Sequence, residues 1–276
     1  MTTTERAGDP PDTLVFIHGL WMTPLSWEHW MTWFESRGWK VIAPAWPGFD
    51  RPVEELRADH SVIKDVTASQ VLDHYEGIIR ALDRPPVIIG HSFGGAFAQI
   101  LVSRGLGAAG VSIAPAPVKG IFDLPISTLR ASFPVLGNPL NFRKAVPLNE
   151  KQFKYAFGNT LTEADSKAAW ERYAVPAASK VLFGGAAGNL PGSPLTVDWK
   201  STSRAPLFLL GGGQDHVVPG KVTDHNARKY SGSRVDFKLY PERSHFTVGE
   251  AGWESVAEDV AGWLEDVVGG PKAATA

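Results

Sequence analysis

The stretch Val87-Ile-Ile-Gly-His-Ser-Phe-Gly-Gly-Ala96 determines the predicted fold, because it joins an apolar strand pattern to a helix through a very tight turn. Its centre, Gly90-His-Ser-Phe-Gly94, has the spacing of a strand-to-helix turn that lifts a serine above a sheet. Residues two before and two after that serine must be small, since they lie against neighbouring backbone. Ser92 is therefore the candidate nucleophile, at a helix N-terminus that favours developing negative charge.

Short apolar runs and amphipathic segments alternate on both sides of this turn. The runs at 14–17, 39–43, 86–89, 110–114, 207–210 and 235–239 predict strands, and the segments at 27–37, 67–82, 94–104 and 252–268 predict helices. Fully apolar strands that alternate with helices indicate an α/β fold, in which helices cover both faces of a mostly parallel sheet.

The alternation stops between residues 118 and 203, where the chain is rich in Pro and Gly. Short helices are predicted near 150–157 and 163–173, and the stretch is too long for a plain crossover between strands. We interpret it as a mainly helical cap inserted over the C-terminal edge of the sheet. The predicted organisation is a first core part at 13–117, a cap or lid at 118–203 and a second core part at 204–268.

A serine hydroxyl needs a base to remove its proton, and the base needs an acid to orient it. One apolar run leads through a Gly-rich loop to Asp215, and the next leads to His245. Both residues follow the C-terminal end of a predicted strand, as Ser92 does, and ligands bind at that edge of α/β sheets. The order Ser, acid, His is the expected one, so Ser92, Asp215 and His245 are the predicted catalytic residues. His91 is interpreted as a structural residue at the pocket edge.

Backbone N–H groups are needed to bind the oxygen of an anionic intermediate. We expect one from Phe93, directly after the nucleophile, and the second from Leu20, in the His18-Gly19 turn after the first strand. Trp21 and Trp46 fall in loops at the same edge. They are predicted either to bind substrate or to pack the cap onto the core.

The composition excludes several other classes of protein. The 276 residues are 43% hydrophobic, carry a formal net charge of -2 and contain no cysteine. The slightly negative net charge gives no indication of a basic surface that would bind nucleic acid. The lack of cysteine excludes disulfides and thiolate chemistry. Without a signal peptide or an apolar run long enough to span a bilayer, we expect a soluble cytoplasmic protein with a small-molecule substrate and no membrane partner. The oligomeric state stays open.

Together these pieces resemble the α/β-hydrolase superfamily. The resemblance rests on His18-Gly19, Pro44-Ala-Trp-Pro-Gly48, Gly90-His-Ser-Phe-Gly-Gly95, Gly212-Gly-Gln-Asp215 and Ser244-His245. It implies esterase-like chemistry without a cofactor or metal, and the short N-terminus implies a compact core of about six strands. Serine at position 92 argues against the haloalkane dehalogenase and epoxide hydrolase branches of the superfamily, in which the covalent ester forms on an aspartate. Phe246, where hydroxynitrile lyases have lysine, argues against lyase chemistry.

The expected function is a serine hydrolase that cleaves a carboxylic ester of a small, largely apolar molecule through an acyl-enzyme. Ten aromatic residues and a charge of +4 between Val118 and Lys200 would suit a bulky, anionic substrate, although a solvated cap surface accounts for the same charges. A lactonase, thioesterase, amidase, perhydrolase or C–C hydrolase would use the same three residues. A ligand-binding receptor on a hydrolase scaffold is the alternative from another class.

Overall fold

The computed structural model describes residues 10–271. Most of the polar N-terminal stretch used to judge the presence of a signal peptide lies outside this range. The strands are β1 (Thr13–Ile17), β2 (Lys40–Ile42), β3 (Val87–His91), β4 (Ala109–Ile113), β5 (Ala145–Val146), β6 (Ala177–Ala178), β7 (Leu207–Gly212) and β8 (Val235–Tyr240). The helices are α1 (Glu28–Glu35), α2 (Val53–Ala58), α3 (Ala68–Arg80), α4 (Phe93–Ser103), α5 (Ile126–Leu136), α6 (Glu150–Ala156), α7 (Glu163–Tyr173), α8 (Ser179–Ala186), α9 (Gly220–Lys229) and α10 (Trp253–Val268).

Six strands form one parallel sheet in the order β2-β1-β3-β4-β7-β8. The predicted α/β fold with about six parallel strands is confirmed. Side chains alternate along β1, so that Leu14 and Phe16 join a core with α1 and α10, whereas Val15 and Ile17 join the core on the opposite face with α3, α4 and α9. Both faces are therefore covered, which explains why the strands are apolar throughout.

The segment between β4 and β7, residues 118–203, contains α5 to α8 and the short antiparallel pair β5–β6. We call it the inserted segment. The predicted helices near 150–157 and 163–173 correspond to α6 and α7. The pattern missed α5 and α8, because Pro134 lies inside α5 and Gly184 and Gly185 lie inside α8.

Every predicted strand of the sheet is present, and all carboxyl ends point to the same edge because the strands are parallel. The loops after β1, β3, β7 and β8 therefore converge at that edge. None of the helices within residues 10–271 is long and apolar enough to cross a membrane.

Candidate active site

Ser92 lies between β3 and α4 with φ 57° and ψ -121°, a backbone conformation that is strained for a residue with a side chain. Two glycines make the turn possible. A Cβ on Gly90 would lie 2.0 Å from the Gly94 carbonyl oxygen, and a Cβ on Gly94 would lie 2.1 Å from the Ile17 carbonyl oxygen. The turn is also tied to the loop after β4, since the Ser92 N–H donates to the Ile113 oxygen (2.9 Å) and the Ala116 N–H to the Ser92 oxygen (2.9 Å).

The structure brings the three predicted catalytic side chains together in one hydrogen-bonded chain. Ser92 Oγ lies 3.0 Å from His245 Nε2, and His245 Nδ1 lies 2.7 Å from Asp215 Oδ2. All three residues are buried. A carboxylate only accepts hydrogen bonds, so Nδ1 carries the imidazole proton and Nε2 is free to accept the proton of Ser92.

Asp215 is itself held rigidly. Its Oδ1 accepts hydrogen bonds from the N–H groups of Val217 (2.7 Å) and Val218 (2.8 Å), while Oδ2 faces the imidazole. Every direction in which the carboxylate can rotate would break one of these three bonds. The orientation of the His245 ring is therefore fixed by the loop after β7.

Glu250 fixes the loop that carries His245, and the sequence analysis did not identify it. The buried Glu250 carboxylate accepts hydrogen bonds from the Ser244 N–H (3.1 Å), Ser244 Oγ (2.8 Å) and Thr160 Oγ1 (2.8 Å). On the other side, the Phe157 ring lies edge-on to the His245 ring at 5.0 Å. Thr160 and Phe157 of the inserted segment thus help to hold the loop that carries His245, which we call the histidine loop.

His91 was expected at the pocket edge, but it is fully buried beneath the histidine loop. Its Nε2 donates to the His245 carbonyl oxygen (2.7 Å), and the two rings lie 4.8 Å apart. Burial, followed by the neighbouring His245, holds the pKa of His91 well below its usual value. His91 is therefore neutral and supports the backbone of His245 rather than touching the pocket.

The predicted oxyanion donors lie on either side of Ser92. A Cβ on Gly19 would be 2.9 Å from the Ser92 Cβ, so the turn that carries Leu20 packs directly on Ser92. Phe93 is the first residue of α4, and its N–H has no acceptor within the helix. The Leu20 N–H has no acceptor among residues 10–271. Both donors are thus available to a ligand.

His18 orders the turn before Leu20. Burial lowers its pKa to about 4, so its ring is neutral. Its Nε2 accepts from the Trp46 N–H (3.2 Å), which places the proton on Nδ1, where it is donated to the Gly19 oxygen (3.0 Å). The bond from Trp46 joins the loops after β1 and β2, and the bond to Gly19 fixes the orientation of the ring.

A pocket of about 110 Å³ opens above Ser92, and its exposed lining is mostly apolar. Trp21 and Phe93 line it from the core, and Leu124, Leu182 and Gly185 line it from the inserted segment. Trp46 is not part of this lining. It is fully buried and stacks on His18 at 4.8 Å, so it reaches the site only through that histidine.

One charged residue, Asp123, lines this pocket, and its Oδ2 lies 2.5 Å from His225 Nδ1.

Two larger grooves, of about 570 and 710 Å³, lie elsewhere on the described surface and contain none of the three predicted catalytic residues. The pocket above Ser92 is the candidate substrate site despite its smaller volume, because neither groove is lined by the predicted nucleophile.

Residues 14–261 match the alpha/beta hydrolase family, and the chain belongs to that family. The resemblance expected from the sequence motifs is thereby confirmed. No curated protein matches the sequence.

Solved structures share the fold at low sequence identity. An extracellular α/β-hydrolase from a Paenibacillus species, described as sharing structural and functional homology with tobacco salicylic acid binding protein 2, is 22% identical with a TM-score of 0.65 over 94% of this chain and 99% of that chain. A thermophilic esterase from Thermogutta terrifontis is 17% identical (TM-score 0.63, 94% and 92%). A pyrethroid hydrolase from Sphingobium faniae JZ-2 is 17% identical (TM-score 0.59, 92% and 97%).

Proposed function

We propose that the protein is a serine hydrolase that cleaves a carboxylic ester of a small, largely apolar molecule. The observation that carries the proposal is the hydrogen-bonded chain from Ser92 through His245 to Asp215, with the serine on a strained turn. Strain at a buried serine is retained when the surrounding structure enforces it, and such positions cluster at active sites. The esterase among the structural neighbours is consistent with this chemistry.

In the proposed mechanism, His245 Nε2 takes the Ser92 proton as Oγ forms a bond to the ester carbonyl carbon. The Leu20 and Phe93 N–H groups bind the resulting oxyanion. His245 then gives the proton to the leaving alkoxide as the carbon–oxygen bond breaks. A water molecule attacks the acyl-enzyme, His245 accepts its proton and returns it to Oγ, and the carboxylic acid leaves.

The pocket supports a neutral substrate rather than an anionic one. Its exposed lining is mostly apolar and includes no lysine or arginine, and its one charged residue is Asp123, which lies beside His225. The positive charge of the inserted segment therefore lies outside the pocket. We propose that the inserted segment is a cap that contributes the apolar wall formed by Leu124, Leu182 and Gly185.

A labelling experiment tests the catalytic proposal. A fluorophosphonate probe should label the wild-type protein and the control Ser69→Ala, in which an exposed serine of α3 is changed, but not Ser92→Ala. Hydrolysis of a short p-nitrophenyl ester should fall by about 10⁴-fold or more in Ser92→Ala. Labelling at Ser92 without turnover of esters, lactones, thioesters or amides would favour the receptor alternative.

A substrate comparison tests the proposed charge preference. Neutral esters should be hydrolysed with a higher kcat/KM than matched half-esters that bear a carboxylate. Asp123→Asn should narrow that difference, with Asp224→Asn on α9 as the control. An equal or greater kcat/KM for the half-esters would contradict the proposed neutral substrate.

A further inference from the structure

The exposed apolar side chains of this protein are concentrated in one part of the chain. Ten large apolar residues are exposed among residues 10–271, and eight of them lie in the inserted segment: Phe122, Leu124, Ile126, Leu129, Phe133, Leu140, Phe142 and Leu190. Single exposed apolar residues are ordinary, whereas a cluster marks an interaction site. Where several of these residues share one surface, that surface is a candidate interaction site.

Three of these eight residues lie on helix α5. Ile126, Leu129 and Phe133 are spaced three and four residues apart, so they share one side of the helix. Their side chains are 84%, 48% and 69% exposed, and all three line the groove of about 570 Å³ between α5 and α6. We call these three residues the α5 face.

A neighbouring side of the same helix lines the pocket above Ser92, through Thr128, Ser132 and Leu136. Leu124 precedes α5, is 63% exposed and also lines the pocket. Helix α5 therefore borders both the groove and the pocket above Ser92.

Basic side chains accompany the α5 face. Arg130 and Lys151 line the same groove, and neither forms an ion pair with a carboxylate among residues 10–271. Arg130 lies over the Tyr155 ring at 4.0 Å, which holds its charge beside the apolar residues. Exposed apolar side chains and unpaired cations side by side offer an anionic membrane surface both apolar contact and charge attraction.

We propose that the α5 face binds reversibly to the surface of an anionic lipid bilayer. This differs from the sequence-based expectation of no membrane partner, and it does not depend on the proposed catalytic chemistry. A second copy of the chain fits less well, because a symmetric contact would place Arg130 and Lys151 against the same positive residues. An apolar substrate dissolved in the bilayer would reach the pocket beside Leu124.

Vesicle flotation tests the proposal. The Ser92→Ala protein, which cannot consume the lipid by the proposed mechanism, is mixed with vesicles of phosphatidylcholine alone or with phosphatidylglycerol. We expect it to float with the anionic vesicles at low salt and to dissociate at high salt. Ile126→Ser/Phe133→Ser should lower the partition coefficient by at least about tenfold. The control is Leu239→Ser on edge strand β8, where the side chain is about as exposed as that of Leu129. This control should leave the partition coefficient unchanged.

Changing the charges provides an independent test. Arg130→Gln/Lys151→Gln should weaken binding to anionic vesicles by about tenfold and reduce its salt dependence, because each cation near the surface contributes separately. With Ser92 present, both double variants should hydrolyse a dissolved ester at the wild-type rate, which shows that they are folded.

Two results would overturn the proposal. One is the absence of flotation with anionic vesicles at low salt. The other is a concentration-dependent dimer that Ile126→Ser/Phe133→Ser dissociates, since that would assign the α5 face to a second copy of the chain.

Discussion

Replacing Asp215 with asparagine tests the role of the carboxylate at nearly constant shape. Oδ1 of Asp215 accepts hydrogen bonds from the N–H groups of Val217 and Val218, at 2.7 and 2.8 Å. In the Asp215→Asn variant the amide oxygen must keep that position, because an NH₂ group there would face two donors. Each buried N–H left without an acceptor costs about 1–3 kcal/mol, so the inverted amide, which leaves two of them unpaired, is disfavoured by several kcal/mol.

The amide NH₂ of the variant then faces His245 Nδ1, which can only accept a hydrogen bond from it. The imidazole proton moves to Nε2, and Nε2 can no longer accept the proton of Ser92. We expect kcat to fall by about 10⁴-fold. The melting temperature should change little, because the amide fills the same space as the carboxylate and still bonds to both N–H groups and to His245. Asp215→Ala should lose as much activity and also stability, by about 1–3 kcal/mol for each buried N–H left unpaired.

The assay is steady-state hydrolysis of a p-nitrophenyl ester, with melting curves for each variant. Asp224→Asn, which changes a carboxylate on α9 paired with Arg228, is the control and should keep wild-type kcat. A folded Asp215→Asn protein with near-normal kcat would refute the assignment of Asp215 as the orienting acid. The acid would then have to come from another loop.

Three further predictions concern the framework of the site. Glu250→Ala should lower kcat about tenfold and stability by about 2–4 kcal/mol, because it unpairs Ser244, whereas Glu250→Gln should recover part of both in the same assays. Gly90→Ala should unfold the turn or remove activity, since its Cβ meets backbone at 2.0 Å, whereas Gly77→Ala on α3 meets nothing within 4 Å and should stabilise by about 0.5–1 kcal/mol. The pKa of His18 is about 4 in the folded protein, below the usual 6.5. As the pH is lowered, the unfolded chain therefore binds a proton at His18 before the folded protein does. The free energy of unfolding should then fall by about 3 kcal/mol from pH 6.5 to pH 4.

Each of these has a result that would contradict it. Unchanged kcat and melting temperature in Glu250→Ala would show that the histidine loop does not depend on Ser244. An active, stable Gly90→Ala protein would contradict the packing of the turn. For the pH dependence, His18→Gln should show a shallower fall in stability from pH 6.5 to 4, and an identical fall would mean that other groups cause it.

Much of the fold could be predicted from local patterns. The strand before Ser92 and the helix after it follow from an apolar run, two required glycines and a segment rich in small residues. Helix α9 was missed because Gly220–Lys229 is mostly polar, and its few buried side chains, such as Val222 and Ala227, pack against β7 and β8. Packing of this kind overrides local propensity.

The meeting of Ser92, Asp215 and His245 was predictable because each follows a parallel strand, and parallel strands end at a common edge. The support around them was not. His91 bonds to the carbonyl of His245, 154 residues later, and Trp46 bonds to His18 across 28 residues. Periodicity records only whether a residue is apolar and how its neighbours are spaced. Which distant backbone group satisfies a buried polar side chain depends on how the loops pack after the sheet has formed.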